Sequence, residues 1–433
     1  MWKRPLQASI ARARRTSIFR SSHWRTIVPA ISRKTRAVAS SPICRFGWVL
    51  AIVLSFWAVG GHAQEPHYRY VSLDQMALPT GFTSFMPSAI QDSGRVYGTL
   101  CDTALCGVTE FAYVQDGQVI VLPPVPPGSF TGPVNARGTI GASILVDPVN
   151  GIFHAALVQG RQVKLVPPQP GEIFASVIAL NDNDTALIQS FNASGSTYVL
   201  YRGGHATPIN FGPSVTNPFF SFIGICRCIN NNEIIEGTEG PGLYDGARGF
   251  RFDTRNGNAM ILEPFPGDPT ETLAWGQAIN QAGDVLGYSF VLGSPYHERI
   301  GVWGRNGVFY TYLVETDSST RLLFNDSNMI VITELFASHV SYLVPQPGVR
   351  LNLADLVVNL PAGQDLFSIT DLNNHGDMIG SSYSTGANFL LQRLDKGDTQ
   401  SFPTPVVSNS VHAIPPGIAT MRNRLLSQFG RVK

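Results

Sequence analysis

A phrase that recurs seven times constrains this chain more than any other feature. An apolar residue precedes Asn (Gln in the first copy), two mostly polar positions follow, then usually Gly, and an apolar residue closes the phrase. The first copy reads Ile90-Gln91-Asp92-Ser93-Gly94-Arg95-Val96 and the last Leu372-Asn373-Asn374-His375-Gly376-Asp377-Met378. The copies between them are centred on Asn135, Asn181, Asn230, Asn280 and Asn325, so the steps are 44, 46, 49, 50, 45 and 48 residues. A period of this length, holding several short strands, is the mark of a β-propeller blade.

Each unit reads as four strands. The first runs into the Asn phrase and the second leaves it, with Asn opening a type I turn and Gly relaxing its fourth position. An aromatic third strand comes next, as in Phe111-Ala112-Tyr113-Val114 and Tyr198-Val199-Leu200-Tyr201. A tight turn ending in Gly (Gly117, Gly160, Gly204, Gly257, Gly307, Gly348) then leads into a fourth strand in each of the first six units. The seventh unit reaches Asn388–Leu394 and lacks its own fourth strand, while a spare strand, Arg69–Leu73, precedes the first phrase. Pairing these two leaves no open edge, which sheets avoid because an open edge templates aggregation. The expectation is an all-β, seven-bladed β-propeller over residues 64–395, closed by an N-terminal strand in the last blade. An elongated stack of repeats would need end caps, and no capping sequence stands out.

The flanks differ from this body. Residues 1–63 carry eleven of the 31 Lys and Arg and no Asp or Glu, so the remainder has about ten more acidic than basic side chains. Such a body argues against nucleic acid as a partner, since phosphate contacts need a basic surface. The basic start, the apolar run Phe46–Gly61 and the small residues Gly61 and Ala63 follow the order of a secretory signal. At about 16 residues the run is shorter than a spanning helix requires. A signal peptide over 1–63, a secreted or periplasmic destination and no stable membrane span after cleavage are therefore expected. Residues 396–433, with Pro403, Pro405, Pro415 and Pro416, read as a Pro-rich tail.

Four cysteines remain after Cys44 leaves with the signal. Cys101 and Cys106 could close a hairpin loop as a disulfide. Cys226 and Cys228 would face the same way along a strand, a geometry that strains a direct bridge. A soft-metal site at that pair lacks completing ligands nearby, so a structural role is expected for these cysteines.

The phrase Ala278-Ile279-Asn280-Gln281-Ala282-Gly283-Asp284-Val285-Leu286-Gly287, together with Asp371–Gly380 and the pair His154-Ala155, resembles the secreted bacterial HAF-repeat proteins. Their His-Ala-Phe triplet is worn down here, and Asp184, Glu233 and Asn328 stand where those repeats carry the turn Gly. The resemblance implies secretion and a β-propeller-like build. It implies no established activity and lends no catalytic residue.

The residues themselves point to no chemistry. Asn181–Asp184 and Asn325–Asn328 suggest calcium, but they fall on the turn phrase, where other copies hold Ala, Arg or Gln. Glu236, Glu239, Asp245, Glu315 and Glu334 show no spacing that pairs two carboxylates for glycoside hydrolysis. Nucleophile motifs, zinc motifs and phosphate-binding loops are missing from the sequence. No cofactor or metal is expected. The reading is a monomeric, non-enzymatic binding module for a protein or polysaccharide of the cell envelope, contacting it through variable loops around Asp102, Cys106, Glu239, Tyr244 and Asp245. A glycan-active enzyme and a structural envelope protein are the alternatives.

Overall fold

The computed structural model describes residues 66–103, 109–220, 227–240, 247–264, 273–291, 297–307, 309–316, 320–335 and 339–394. The chain divides into two units, Met1–Gln64 and Glu65–Lys433. The segments expected as a signal peptide (1–63) and a Pro-rich tail (396–433) lie outside the described residues, and the described strands belong to the second unit.

The first repeat shows how a sheet is made. Ser84–Ile90 enters the Asn phrase and pairs antiparallel with Val96–Cys101, which pairs with Thr109–Gln115, which pairs with Gln118–Val121. The second, third, fifth and sixth repeats keep the same plan, and in each the innermost strand leads into its phrase. Two pairs of neighbouring sheets also touch through single parallel contacts, Phe153 with Phe174 and Arg248 with Ala274, and so merge into eight-stranded sheets. Burial falls from the inside outward. Thr320–Phe324 and Ile330–Glu334 are buried along their length, whereas the outermost strand Gln162–Leu165 is exposed throughout.

Five inner strands carry a bulge just before the phrase, between Pro87 and Ala89, Thr131 and Val134, Val177 and Ala179, Gly276 and Ala278, and Ile369 and Asp371. An extra residue bends the strand and presses a carbonyl toward its neighbour. In the first and fifth repeats that neighbour is glycine, because a Cβ at Gly98 or Gly287 would strike the carbonyl oxygen of Met86 or Trp275. This accounts for the Gly two residues after the apolar residue that closes the phrase in these copies.

The ends of the chain close on each other. His67–Ser72 pairs antiparallel with Asn388–Leu394, placing Tyr70 opposite Leu391, and completes the sheet of Ser368–Leu372 and Met378–Ser381. The expected strand exchange is therefore present. Hydrophobic cores lie between consecutive sheets rather than within one. Tyr97 and Phe111 of the first repeat pack with Ile140 and Ala156 of the second. Tyr68 and Phe389 of the last pack with Leu323 and Val331 of the sixth, and Ile379 and Leu390 of the last pack with Phe85 and Leu100 of the first. The fold is an all-β propeller.

Candidate functional site

The two ends of the propeller are chemically different. At one end all seven Asn phrases meet in a hydrogen-bonded collar. The carboxamide oxygen of Asn181 accepts from the backbone N–H groups of Asn183 and Thr185, which builds the turn. Its Nδ2 donates to the carbonyl of Asn230 in the next sheet, 2.9 Å away. The same donation runs from Gln91 to Asn135, Asn135 to Asn181, Asn230 to Asn280 and Asn325 to Asn373, and from Asn373 back to Gln91. Asn280 varies the pattern by donating to Asn328 Oδ1 at 3.0 Å. Aspartate could cap the turn but could not donate across the junction.

The residue after each Asn forms a second belt. Asp182, Asn231, Gln281, Asp326, Asn374 and Asp92 each accept from the backbone N–H of the equivalent residue in the preceding sheet, at 2.7–2.9 Å. The acidic side chains that suggested calcium are thus engaged in holding sheets together. Inside the collar is a cavity of about 110 Å3 lined by Asp92, Asp182, Asp326, Asp371 and Arg227, among others. Arg227 reaches Asp371 at 3.0 Å and also donates to the Leu372 carbonyl, while Asp371 Oδ2 accepts from the backbone of Ile90. Buried Arg321 has its guanidinium pulled down to about 10 by desolvation, against the charge of Asp371. These groups form an internal brace between sheets, and each carboxylate already accepts a hydrogen bond.

At the opposite end of the strands, away from the Asn phrases, the structure places a set of part-exposed rings. Phe130, Phe153, Phe174 and Phe191 form a row with centroid separations of 5.4, 5.5 and 5.9 Å. They come from four strands in the second and third repeats, and all four keep solvent exposure, led by Phe130 at 44%. Ile173, 51% exposed, lies beside them in sequence. Beside the row, Glu172 accepts from Ser190 Oγ at 2.7 Å and from the backbone of Gln169, and it pairs with His154 Nδ1 at 2.7 Å. A second ring group, His339, Phe367 and Tyr383, has centroids 4.3–5.2 Å apart at the same end of the sixth and seventh repeats. Solvent-accessible apolar side chains gathered in this way mark candidate interaction sites.

Of the loop residues expected from sequence, Asp102 and Glu239 are described and belong to this end. Cys101 closes the strand leaving the first phrase, and Asp102 comes directly after it with its carbonyl accepting from Thr83 Oγ1 at 3.1 Å. Glu239 closes the equivalent strand of the fourth repeat, buried and paired with Arg248. Cys101 and Cys228 are each disulfide-bonded, with partners outside the described residues. Cys106, Cys226, Tyr244 and Asp245 also lie outside them. Glu236 lies in the middle of Ile234–Glu239 rather than at a loop. Burial pushes its carboxyl up to about 8. Glu334 pairs with Arg350 at 3.3 Å. Among the described residues no cluster of three or more His, Cys, Asp or Glu could hold a metal ion. No helix among them is long and apolar enough to cross a membrane. The phenylalanine row escaped sequence reasoning because its members sit in four separate strands. The available signal was Phe at the loop-side end of each of those strands.

Fold and surface together define a β-propeller with a hydrogen-bonded collar at one end and an aromatic face at the other. No family model matches the chain, and no curated protein matches it. Among solved structures it is similar to the β-propeller domain of the Trilobed protease from Pyrococcus furiosus, at 7% identity over 73% of this chain and 96% of that one, with a TM-score of 0.49. It is also similar to a chain of a mitotic checkpoint complex (10% identity, 84% and 98% covered, TM-score 0.42). The polysaccharide lyase Uly1 gives 10% identity, 75% and 99% coverage and a TM-score of 0.43. Likeness at this level carries no activity with it.

Proposed function

We propose that this protein is a secreted or periplasmic binding module that holds a saccharide chain on its aromatic face without transforming it. The row Phe130–Phe153–Phe174–Phe191 carries the reading. Exposed rings offer flat apolar surfaces to the C–H faces of sugars, and His154, Glu172 and Ser190 beside them supply hydrogen-bonding groups for hydroxyls. The scaffold suits binding, since a rigid collar at one end presents variable loops at the other. The basic and apolar order of residues 1–63, and the likeness of the repeated phrase to secreted HAF-repeat proteins, support export.

The test is a panel of extracellular polysaccharides and envelope proteins, scored for retention and for product release, using protein that begins at Gln64. Retention of polysaccharide that falls about tenfold in F130A, with unchanged circular dichroism, is the expected result. Released oligosaccharides would establish the enzymatic alternative. Equal retention by F130A, or retention of envelope proteins alone, would overturn the saccharide reading. N-terminal sequencing of the exported protein should give Gln64, and a retained Met1 would overturn export with cleavage.

A further inference from the structure

We propose a second ligand site, separate from the aromatic face: a groove between the first and second repeats at the collar end that takes a carboxylate carried on a six-membered ring. The groove has a volume of about 680 Å3, the size of a small-molecule site. Its polar side chains are Arg95, Arg137, Arg161, Tyr97 and Tyr113, and its apolar wall includes Ile120 and Val121. Not one Asp or Glu lines it, although the body of the protein is acidic overall. Arg95 and Arg161 line this groove without a carboxylate partner among the described residues, and together they create a local positive field that attracts anions.

The geometry favours a carboxylate over a bare ion. Arg95 is held by its Nε donating to Gln115 Oε1 at 2.8 Å, and its guanidinium carbon lies 5.2 Å from the Tyr113 ring centroid. This fixes the plane of a group that can still donate two parallel hydrogen bonds. Arg137 leans on Asp184 at 3.2 Å with half of its side chain exposed, and Arg161, beside the turn glycine Gly160, makes no ion pair among the described residues. The part-exposed Tyr113 ring and the exposed Ile120 and Val121 offer an apolar surface against which a ring body packs, with buried Tyr97 backing Tyr113 at 5.3 Å between centroids. The groove borders Gly138 of a collar turn, so it opens at the end of the propeller away from Phe130.

The experiment titrates protein starting at Gln64 by calorimetry with oligogalacturonate, with the matched neutral galactan oligomer and with benzoate. The two carboxylated probes separate a uronate chain from an aromatic acid as the source of the same chemistry. The expected result is binding of at least one of them about tenfold tighter than the neutral oligomer, weakening as salt is raised. The R95Q/R161Q variant should lose that preference by a similar factor, while F130A keeps it. A variant that fails to fold is replaced by R161Q alone, whose exposed side chain supports no described contact. Carboxylated probes that bind no better than the neutral one, or a preference that survives R95Q/R161Q, would overturn the site. A preference lost in F130A but kept in the arginine variants would move it to the aromatic face.

Discussion

The side-chain amide of Asn373 donates to the backbone carbonyl of Gln91, 2.9 Å away and 282 residues earlier in the chain. This bond joins the last repeat turn to the first. Its counterparts at the other junctions make each turn depend on its neighbour. Asn373 Nδ2 also reaches Asp377 Oδ2 at 2.9 Å, and its Oδ1 accepts from the Asp377 backbone. Asn373→Asp keeps the turn acceptor, removes the inter-sheet donor and sets a carboxylate against Asp377. We expect a loss of about 3 kcal/mol or more, read from the urea midpoint at neutral pH. The third repeat has Thr185 at the position of Asp377, so Asn181→Asp gives up its donation to Asn230 without that pairing of carboxylates and should cost less. Equal midpoints for both variants and the parent would mean that the collar bonds contribute nothing.

The fourth turn position is left-handed in every repeat, with φ between 56° and 93°, yet three repeats place Asp184, Glu233 and Asn328 there instead of Gly. Each of the three reaches the preceding sheet. Asp184 takes Asn135 Nδ2 at 2.7 Å and Arg137, Glu233 takes Arg202 at 2.6 Å and Thr185, and Asn328 takes Asn280. The departures from the repeat thus exchange backbone comfort for contacts between sheets. Asp184→Ala should cost about 1 kcal/mol or more because it loses the contacts and keeps the strain. Asp184→Gly should recover part of that loss. Gly94→Ala, where a Cβ would meet no atom within 4 Å, should cost about 1 kcal/mol from backbone strain alone. Chemical denaturation of the three variants should rank them in this way, and an Asp184→Gly no more stable than Asp184→Ala would remove the strain argument.

Glu236 gives the fold a pH dependence. Its side chain is 1% exposed, and burial raises its pKa from an ordinary 4.5 to about 8. The folded state therefore holds a proton that the unfolded chain releases near 4.5. Its contribution to stability is fully present below that value and declines as pH rises, by up to roughly 1.4 kcal/mol per pH unit, before levelling above about 8. Glu236→Gln imitates the protonated carboxyl at every pH. Thermal melts between pH 5 and 9 should show the parent losing stability and the variant losing less, with the variant the more stable at pH 9. Parallel curves for the two proteins would assign the pH dependence to other groups.

Much of the architecture was legible because its determinants repeat. The Asn phrase recurs at nearly constant spacing, and counting strands left Arg69–Leu73 over at one end and a vacancy beside Asn388–Leu394 at the other. The site was less legible for a physical reason. The turn role of Asn135 is local and readable, but its donation to Asn181 spans 46 residues and becomes visible only once neighbouring sheets are placed. The same holds for Phe130, Phe153, Phe174 and Phe191, and for Arg95, Arg137 and Arg161. Each group gathers residues from separate strands or turns, and no window of sequence contains more than a part of it.

The closing strand should be separable from the rest of the fold. His67–Ser72 pairs on one edge with Asn388–Leu394. Its other side is held by Asn359, whose Oδ1 accepts from Tyr70 N at 2.7 Å and whose Nδ2 donates to Tyr70 O at 3.0 Å, and by Val358 N donating to Tyr68 O. Asn359→Ala removes the outer clamp while leaving the strand pairing, so it should raise hydrogen exchange at Tyr70 without changing oligomeric state. Starting the chain at Leu73 instead bares the edge of Asn388–Leu394 and uncovers Phe389, which packs on Tyr70 at 5.6 Å between ring centroids. A free, apolar strand edge recruits other chains. Size-exclusion chromatography should show that truncated protein aggregating, and a synthetic peptide spanning residues 66–73 should restore the parent's elution volume in proportion to its concentration. A truncated chain that elutes and melts as the parent does would show that the propeller is held shut by its inter-sheet cores and Asn collar, with the strand exchange adding nothing.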